Sequence, residues 1–448
     1  MRAKSKVLRL LLVGVLVGAV AVAVLPMTGT TAGKKGNREK IYEKLSVFTQ
    51  ALNYIEKNYV KEIDPQKLIY GAIKGMVAEL DPHTTFMTPD FYKEMEVETK
   101  GEFGGLGIEI TMKEGVLTIV SPIEGTPAYK KGLKAGDRII AIEGNSTRGL
   151  TLMEAVKRLR GKKGTKVTIT IQRDGEKPFD VTIVRDIIKV KSVSYRMEDP
   201  KAKIGYVRIR SFQERTSKQL DTALKELEKK GMKALILDLR NNPGGLLSQA
   251  VGVSDRFLGK GKLVVSIKGR NGSNEVKFMA HADHTFPFHP MVVLVNAGSA
   301  SASEIVAGAL QDWHRAVIAG ERTFGKGSVQ TVYPLSDGSA LKLTTAAYYT
   351  PSGRSIQEEG IIPDVEIPSD LTEKGEGNRT VIREESLKHH FAQGVIGPAK
   401  REKGKKGKKE GVTEKLKDYQ LKYALQFLKG WLLINNKEMF GGAKAAKK

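Results

Sequence analysis

The feature that most restricts this chain is a pair of uninterrupted apolar runs, Ala-Leu-Ile-Leu at 234–237 and Val-Val-Leu-Val at 292–295. A strand sends successive side chains to opposite faces, so a run without a polar residue must be covered on both sides. That requirement points to α/β layering. Strands are expected at 204–212, 234–240, 263–269 and 291–296, alternating with helices near 216–230, 246–258 and 302–311. Together they form a region spanning 191–370.

Ahead of it, Ile41, Leu45, Phe48, Leu52, Ile55 and Tyr59 recur in steps of four and three, one stripe of an amphipathic helix. A second helix is expected at 65–80, with Leu68, Ile69, Ala72, Ile73, Met76 and Val77 on its apolar face and the Asp81-Pro82 pair ending it. These helices occupy a segment from 38 to 98; their stripes suit core packing or an arm swapped between two copies. From Gly101 the pattern changes to short strands and glycine turns, at 103–110, 116–123 and 135–144, with a turn or short helix at 126–133. Thr151 and Glu154 then form a capping box before Ala155, Val156 and Leu159, and Gly161 sits where a C-cap glycine belongs. Strands at 166–173 and 179–185 complete a unit, 99–188, that resembles a PDZ domain in the circularly permuted form of bacterial proteases. Gly104, Gly105, Leu106 and Gly107, directly before a strand starting at Ile108, suit a loop whose N–H groups hold a peptide carboxylate while the chain adds to the sheet edge. An ordinary glycine turn opening a strand reads the same way.

The termini carry most of the charge. Seventeen of the 24 net positive charges lie in residues 1–40 and 399–448. A nucleic-acid binder would be expected to spread such charge over a folded face, so no nucleic-acid partner is expected. Arg2, Lys4, Lys6 and Arg9 precede an uncharged apolar run at 10–25 and small residues ending in Thr31 and Ala32. Residues 1–32 therefore read as a secretory signal or a retained membrane anchor, and the chain as exported. With no cysteine in 448 residues, disulfides, thiolate nucleophiles and cysteine zinc sites are excluded. In the C-terminal region, 371–448, a lysine and glycine linker at 397–411 should stay solvated. Leu421, Leu425, Leu428 and Leu432 mark a final helix that needs a partner surface, in this chain or another.

Chemistry concentrates at three turns. Ser299, Ser301 and Ser303 lie where a buried strand meets a helix, whose free N–H groups suit an oxyanion. Ser301 and Glu304 equally fit a simple capping box. A serine nucleophile needs a base. His281, His284 and His289 crowd a solvent-facing loop, His389 and His390 lie in the tail, and His83 in the N-terminal segment, leaving His314 with Asp312 for a Ser-His-Asp set. Lys326, between Gly325 and Gly327, is the better candidate: burial brings a lysine from about 10.4 to roughly 7–8, where it takes up and returns protons. A surface lysine in a turn is the alternative. Gly320, Gly325 and Lys326 also start a phosphate-binding loop, but Gly327 stands where a hydroxyl is required and the residues after it alternate like a strand. Finally, the turn at 241–245 after Asp238 and Arg240 either donates backbone N–H groups to an oxyanion or is a plain strand exit beside an ion pair.

PDZ, Leu-Asp-Leu-Arg-Asn-Asn-Pro-Gly-Gly, Gly-Ser-Ala-Ser-Ala-Ser-Glu-Ile and Phe-Gly-Lys-Gly-Ser-Val-Gln, in this order, resemble the carboxyl-terminal processing peptidases, or tail-specific proteases, over about residues 40–370, with a weaker match in the last helix. The resemblance implies a mixed α/β multidomain fold: N-terminal helices, a PDZ domain, and a crotonase-like α/β protease core with a C-terminal helical extension. It implies Ser301 as nucleophile, Lys326 as general base and Gln330 as the residue orienting that lysine. Backbone N–H groups of Ala302 and Gly244 would form the oxyanion hole. Gly104, Gly105, Leu106, Gly107 and Ile108 would bind the substrate tail, and Arg160 would contact Gln330 when the PDZ domain docks. Substrates would be proteins with exposed C-termini, cut in the periplasm or cell envelope by a homo-oligomer working with an activating or adaptor protein, without metal or cofactor. Membrane contact would come only through the N-terminal segment. Rival readings are a catalytically silent PDZ scaffold and a nucleotide hydrolase.

Overall fold

The computed structural model describes residues 32–272, 274–281, 286–368, 382–387, 389–390 and 418–435. The apolar run of the expected export segment and the basic linker at 397–411 lie outside the described residues. The chain divides into two compact units, Met1–Ile69 and Tyr70–Lys448. The first contains the helix Ala32–Asn58, on which Ile41, Leu45, Phe48 and Ile55 are all exposed. Among the described residues no helix is long and apolar enough to cross a membrane.

The second unit is built around a six-stranded sheet in the order Val193–Asp199, Ile204–Ile209, Ala234–Asp238, Met291–Val295, Val317–Gly320, Val365–Glu366. All pairs are parallel except the first. The two apolar runs are its central strands, and every residue of Ala234–Asp238 and Met291–Val295 is buried. Alternation then sorts their side chains. Leu235, Leu237, Val293 and Val295 pack with residues of the helices Thr216–Lys229, Leu247–Asp255 and Ala302–Asp312. Ala234, Ile236, Val292 and Leu294 face Leu421, Ala424 and Leu428 of the helix Tyr419–Asn435. The partner surface that the last helix requires is thus in its own chain, on the second face of the sheet.

A second sheet holds Leu263–Lys268. Its order is Thr85–Met87, Ala340–Tyr349, Leu263–Lys268, Val276–Met279, with Ser328–Pro334 also paired to Ala340–Tyr349. Residues 38–98 are therefore not purely helical. After the helix Pro65–Ala78, Phe86 pairs with Leu341, and a further helix, Pro89–Lys100, leads out of the core.

The PDZ unit has a sheet in the order Ile108–Lys113, Val116–Pro122, Arg138–Ile142, Lys166–Gln172, Phe179–Val184, with the helix Leu152–Leu159 against it. Leu117, Ile119, Ile139, Ile169, Ile171 and Ile183 fill its core with the helix residues Ala155 and Leu159. The capping box forms as expected: Thr151 N–H donates to Glu154 at 2.8 Å, and Glu154 N–H to the Thr151 hydroxyl at 3.3 Å. Gly161 is not its C-cap glycine. The helix stops at Leu159 with Arg160 extended (φ −74°, ψ 160°), and Gly161 is small because a Cβ there would lie 2.9 Å from Arg185. The expected strand at 103–110 is two strands, Glu102–Gly105 and Ile108–Lys113, broken at Leu106 and Gly107.

Candidate active site

The strand Met291–Val295 leads through a turn into the helix Ala302–Asp312, and the three serines there have different fates. The Ser299 hydroxyl donates to the Leu239 carbonyl at 2.9 Å and accepts from Asn296 N–H at 3.0 Å. Ser303 donates to the Asn242 carbonyl at 2.9 Å. Both are buried structural ties. Ser301, partly exposed at the helix N-cap, has φ 55° and ψ −112°. A side-chain-bearing residue held there costs on the order of 1–3 kcal/mol, strain that persists only where the surroundings enforce it.

Glu304 is what enforces it. Fully buried, its carboxylate accepts from Ser301 N–H (2.7 Å) and Lys326 N–H (2.9 Å) on one oxygen, and from Gly325 N–H (2.7 Å) and the Thr323 hydroxyl (2.5 Å) on the other. The expected capping box is thus one part of a larger clamp, and one oxygen ties the serine backbone to the lysine backbone. Burial pushes the Glu304 carboxyl up to about 7, against these four hydrogen bonds, which favour the ionised form.

Lys326 is partly buried. Burial first, and the nearby Lys342 second, lower its ammonium to about 8, while Glu384, Glu304 and Asp81 pull the other way. The flanking glycines are explained by close backbone approach: a Cβ at Gly325 would lie 2.9 Å from the Glu358 carbonyl, and one at Gly327 2.3 Å from the Gln357 nitrogen. Residues Ser328–Pro334 form a strand, so no helix follows Lys326 as a phosphate loop demands. Gln330 lies on this strand, and its amide nitrogen donates to Ser328 (2.9 Å) and Thr344 (3.4 Å).

The glycine turn at 243–245 does approach the serine: a Cβ at Gly244 would fall 2.9 Å from Ser301 Cβ and 3.0 Å from the Ala302 nitrogen. The Gly244 N–H itself, however, donates to the Asn242 side chain at 2.9 Å, so in this structure it is not directed at an oxyanion. Asp238 and Arg240 are an ion pair, as the plainer reading had it. Tyr206 donates to Asp238, and Arg240 grips Asp418 with two bonds of 2.7 and 2.8 Å.

His314 lies beyond the far end of the 11-residue helix that Ser301 begins, about 16 Å away at 1.5 Å per residue, so it is not the base. His289 pairs with Glu228 and His390 with Glu358. His284 lies outside the described residues. His83, set aside on sequence grounds, reaches the lysine loop through Glu384 at 2.7 Å. Nothing local marks a pair 301 residues apart.

In the PDZ unit, Ile108–Lys113 ends the sheet order, leaving one edge open beside the helix Leu152–Leu159. The Leu106 carbonyl accepts from Ala128 N–H (2.9 Å), and the Gly107 carbonyl from Ile123 N–H (2.8 Å) and the Thr126 hydroxyl (3.1 Å). Because each trans peptide points its C=O and N–H oppositely, the N–H groups of Gly107 and Ile108 turn outward, as a carboxylate cradle requires. Arg160 is not on Gln330. Its guanidinium pairs with Glu94 and lies 4.3 Å over the Phe103 ring, while Lys157 binds Asp90 at 2.9 Å.

Comparison with known proteins matches residues 203–367 to peptidase family S41, 104–183 to the PDZ domain and 23–90 to the activating protease CtpB N-terminal domain. A carboxy-terminal-processing protease of Bartonella bacilliformis is 46% identical over 399 residues, covering 88% of this chain and 90% of the relative. The carboxy-terminal processing protease CtpA of Bacillus subtilis is 42% identical over 358 residues, covering 78% and 75%. Among solved structures, a photosystem II D1 C-terminal processing protease is 32% identical and covers 77% of this chain and 98% of its own, at a TM-score of 0.42.

Proposed function

Because the chain belongs to peptidase family S41, among the carboxy-terminal processing proteases, we propose that it is an exported endopeptidase in which Ser301 is the nucleophile and Lys326 the general base. The observation that carries this reading is the single Glu304 oxygen holding the backbones of both residues. The lysine so held is lowered to about 8 by burial, within reach of a working base. Neutral Lys326 takes the Ser301 proton as the oxygen adds to the scissile carbonyl. The ammonium then protonates the leaving amine, and the acyl-enzyme remains. Water attacks that ester, Lys326 again taking the proton, and Ser301 is regenerated as the new C-terminus leaves. The N–H of Ala302 and a donor from the 243–245 turn receive the oxyanion once that turn adjusts. Gln330, whose amide nitrogen is on two hydroxyls, orients the lysine.

The PDZ domain binds peptide C-termini. The outward N–H groups of Gly107 and Ile108 take the tail carboxylate, and the preceding residues add along Ile108–Lys113. On docking, Arg160 exchanges Glu94 for Gln330. The enzyme works in the periplasm or cell envelope as a homo-oligomer, with an activating or adaptor protein engaging its N-terminal region.

Ser301→Ala and Lys326→Ala should each abolish hydrolysis, and a substrate amidated at its C-terminus should be cut poorly. Substantial turnover by either variant would reject the dyad, and equal cleavage of free and amidated substrates would reject tail capture. A silent scaffold would cut neither substrate.

A further inference from the structure

The turn at 81–84 lies far from Lys326 in sequence, yet both of its arms end on the supports of that lysine. On one side, His83 Nε2 meets Glu384 at 2.7 Å. Glu384 has no exposed surface. It accepts from the Gln357 amide at 3.0 Å, and Gln357 in turn accepts from Gly327 N–H at 3.0 Å. The Glu384 N–H donates to the Phe324 carbonyl at 3.2 Å. Glu384 thus holds both flanks of the catalytic loop. On the other side, Asp81 accepts from the Thr344 hydroxyl at 3.1 Å, which accepts from Gln330 at 3.4 Å. The same Asp81 pins its own turn through Thr84 N–H (2.8 Å) and hydroxyl (2.6 Å).

We propose that His83 and Glu384 are positioning residues for Lys326: the pair fixes the loop that carries the lysine and sets the negative charge facing its ammonium. The inference rests on Lys326 being the general base. The charged groups facing that ammonium are Lys342, Glu384, Glu304 and Asp81. Glu384 is the first of the three carboxylates that favour it. His83 and the neutral Gln357 flank Glu384, so a change of the His83 side chain, which leaves its N–H on Asp81 in place, reaches Lys326 through that carboxylate.

The sign follows from charge alone. Glu384→Gln keeps the shape and the acceptor for Gln357, and its amide can donate to His83 Nε2 in the tautomer that accepts, but it removes a negative charge, so the ammonium loses support and the lysine deprotonates at lower pH. His83→Ala leaves the carboxylate without its imidazole, so Lys326 faces it less shielded and deprotonates at higher pH. A buried charge a few ångströms away moves such a titration on the order of one pH unit.

The test is the pH dependence of kcat for the full chain with a free-acid peptide substrate, measured for wild type, Glu384→Gln, His83→Ala and Lys326→Ala, with melting temperatures alongside. The expected result is an acid limb moved down for Glu384→Gln and up for His83→Ala, with the plateau of each lowered about tenfold by the loosened loop. A lowered plateau with an unmoved limb in both variants would mean a purely structural pair and overturn the proposal. Should Glu384→Gln not fold, His83, at the edge of the cluster, decides alone, and an unmoved limb in His83→Ala overturns it. Activity surviving in Lys326→Ala would instead remove the dyad on which the inference stands.

Discussion

Replacing Glu304 by glutamine tests whether one carboxylate organises the site, because the change preserves shape and alters only acceptors and charge. Four donors converge on Glu304. Glutamine offers one acceptor oxygen and a donating amide. If the amide takes the oxygen position shared by Ser301 and Lys326, two buried N–H groups are orphaned. If it takes the other, the Thr323 hydroxyl, which already accepts from Ile361 N–H at 2.7 Å, can turn to accept the amide, and only Gly325 N–H is orphaned. The second orientation is cheaper. Losing the charge weakens the remaining bonds, but it also relieves the burial that pushes this carboxyl up, and the two effects offset. What survives is one unsatisfied buried N–H, about 1–3 kcal/mol of stability. With Gly325 released, the adjacent lysine shifts, and a displacement near 1 Å costs on the order of 10²-fold in turnover. Urea unfolding followed by tryptophan fluorescence, together with hydrolysis of a fluorogenic peptide, reads both. A variant with unchanged unfolding midpoint and turnover within about threefold of wild type would refute the clamp.

Turnover of the wild type should rise with pH through about 8, because burial disfavours the Lys326 ammonium and the neutral form is the proposed base. About one side chain in ten would then be neutral at pH 7, against roughly one in 2,500 for an unshifted lysine, and a limb near 6.5 would point to a histidine instead. Gly107→Ala forces a Cβ to within 2.3 Å of Thr126 at φ 81°. Calorimetry should show tail-peptide affinity down at least tenfold, while a short substrate that does not engage the PDZ domain is cut normally. Asp418→Asn takes from Arg240 one of its two carboxylates and should destabilise docking of the helix Tyr419–Asn435 by about 1–2 kcal/mol, read by Trp431 fluorescence in urea.

What was legible in the sequence is what local pattern encodes. The runs at 234–237 and 292–295 announced two covered faces, and Thr151 with Glu154 announced a helix start that forms as written. The serines at 299, 301 and 303 and Lys326 drew notice because each lies in a short, chemically unusual turn, and only the family resemblance singled out Ser301 among the three. The supports of the site were not legible, for a physical reason: Glu304, Gln357, Glu384 and His83 act through contacts set by sheet pairing and chain return. Glu304 looked like a helix cap because its first hydrogen bond is one, and its other three come from residues about twenty positions on. Gly161 misled for a related reason: a glycine just past a helix suggests a left-handed cap, whereas here it makes room for Arg185.

The helix Tyr419–Asn435, the last described element, is a wall of the central sheet, with Leu421, Ala424 and Leu428 buried and Gln420 donating to the Ile367 carbonyl at 2.7 Å. In this member of the carboxy-terminal processing proteases the helix Tyr419–Asn435 is therefore part of the core. Were the chain to be cut before residue 418, Ile204, Tyr206, Ile236 and Leu294 would meet water, and the central sheet would lose one of its two layers of cover.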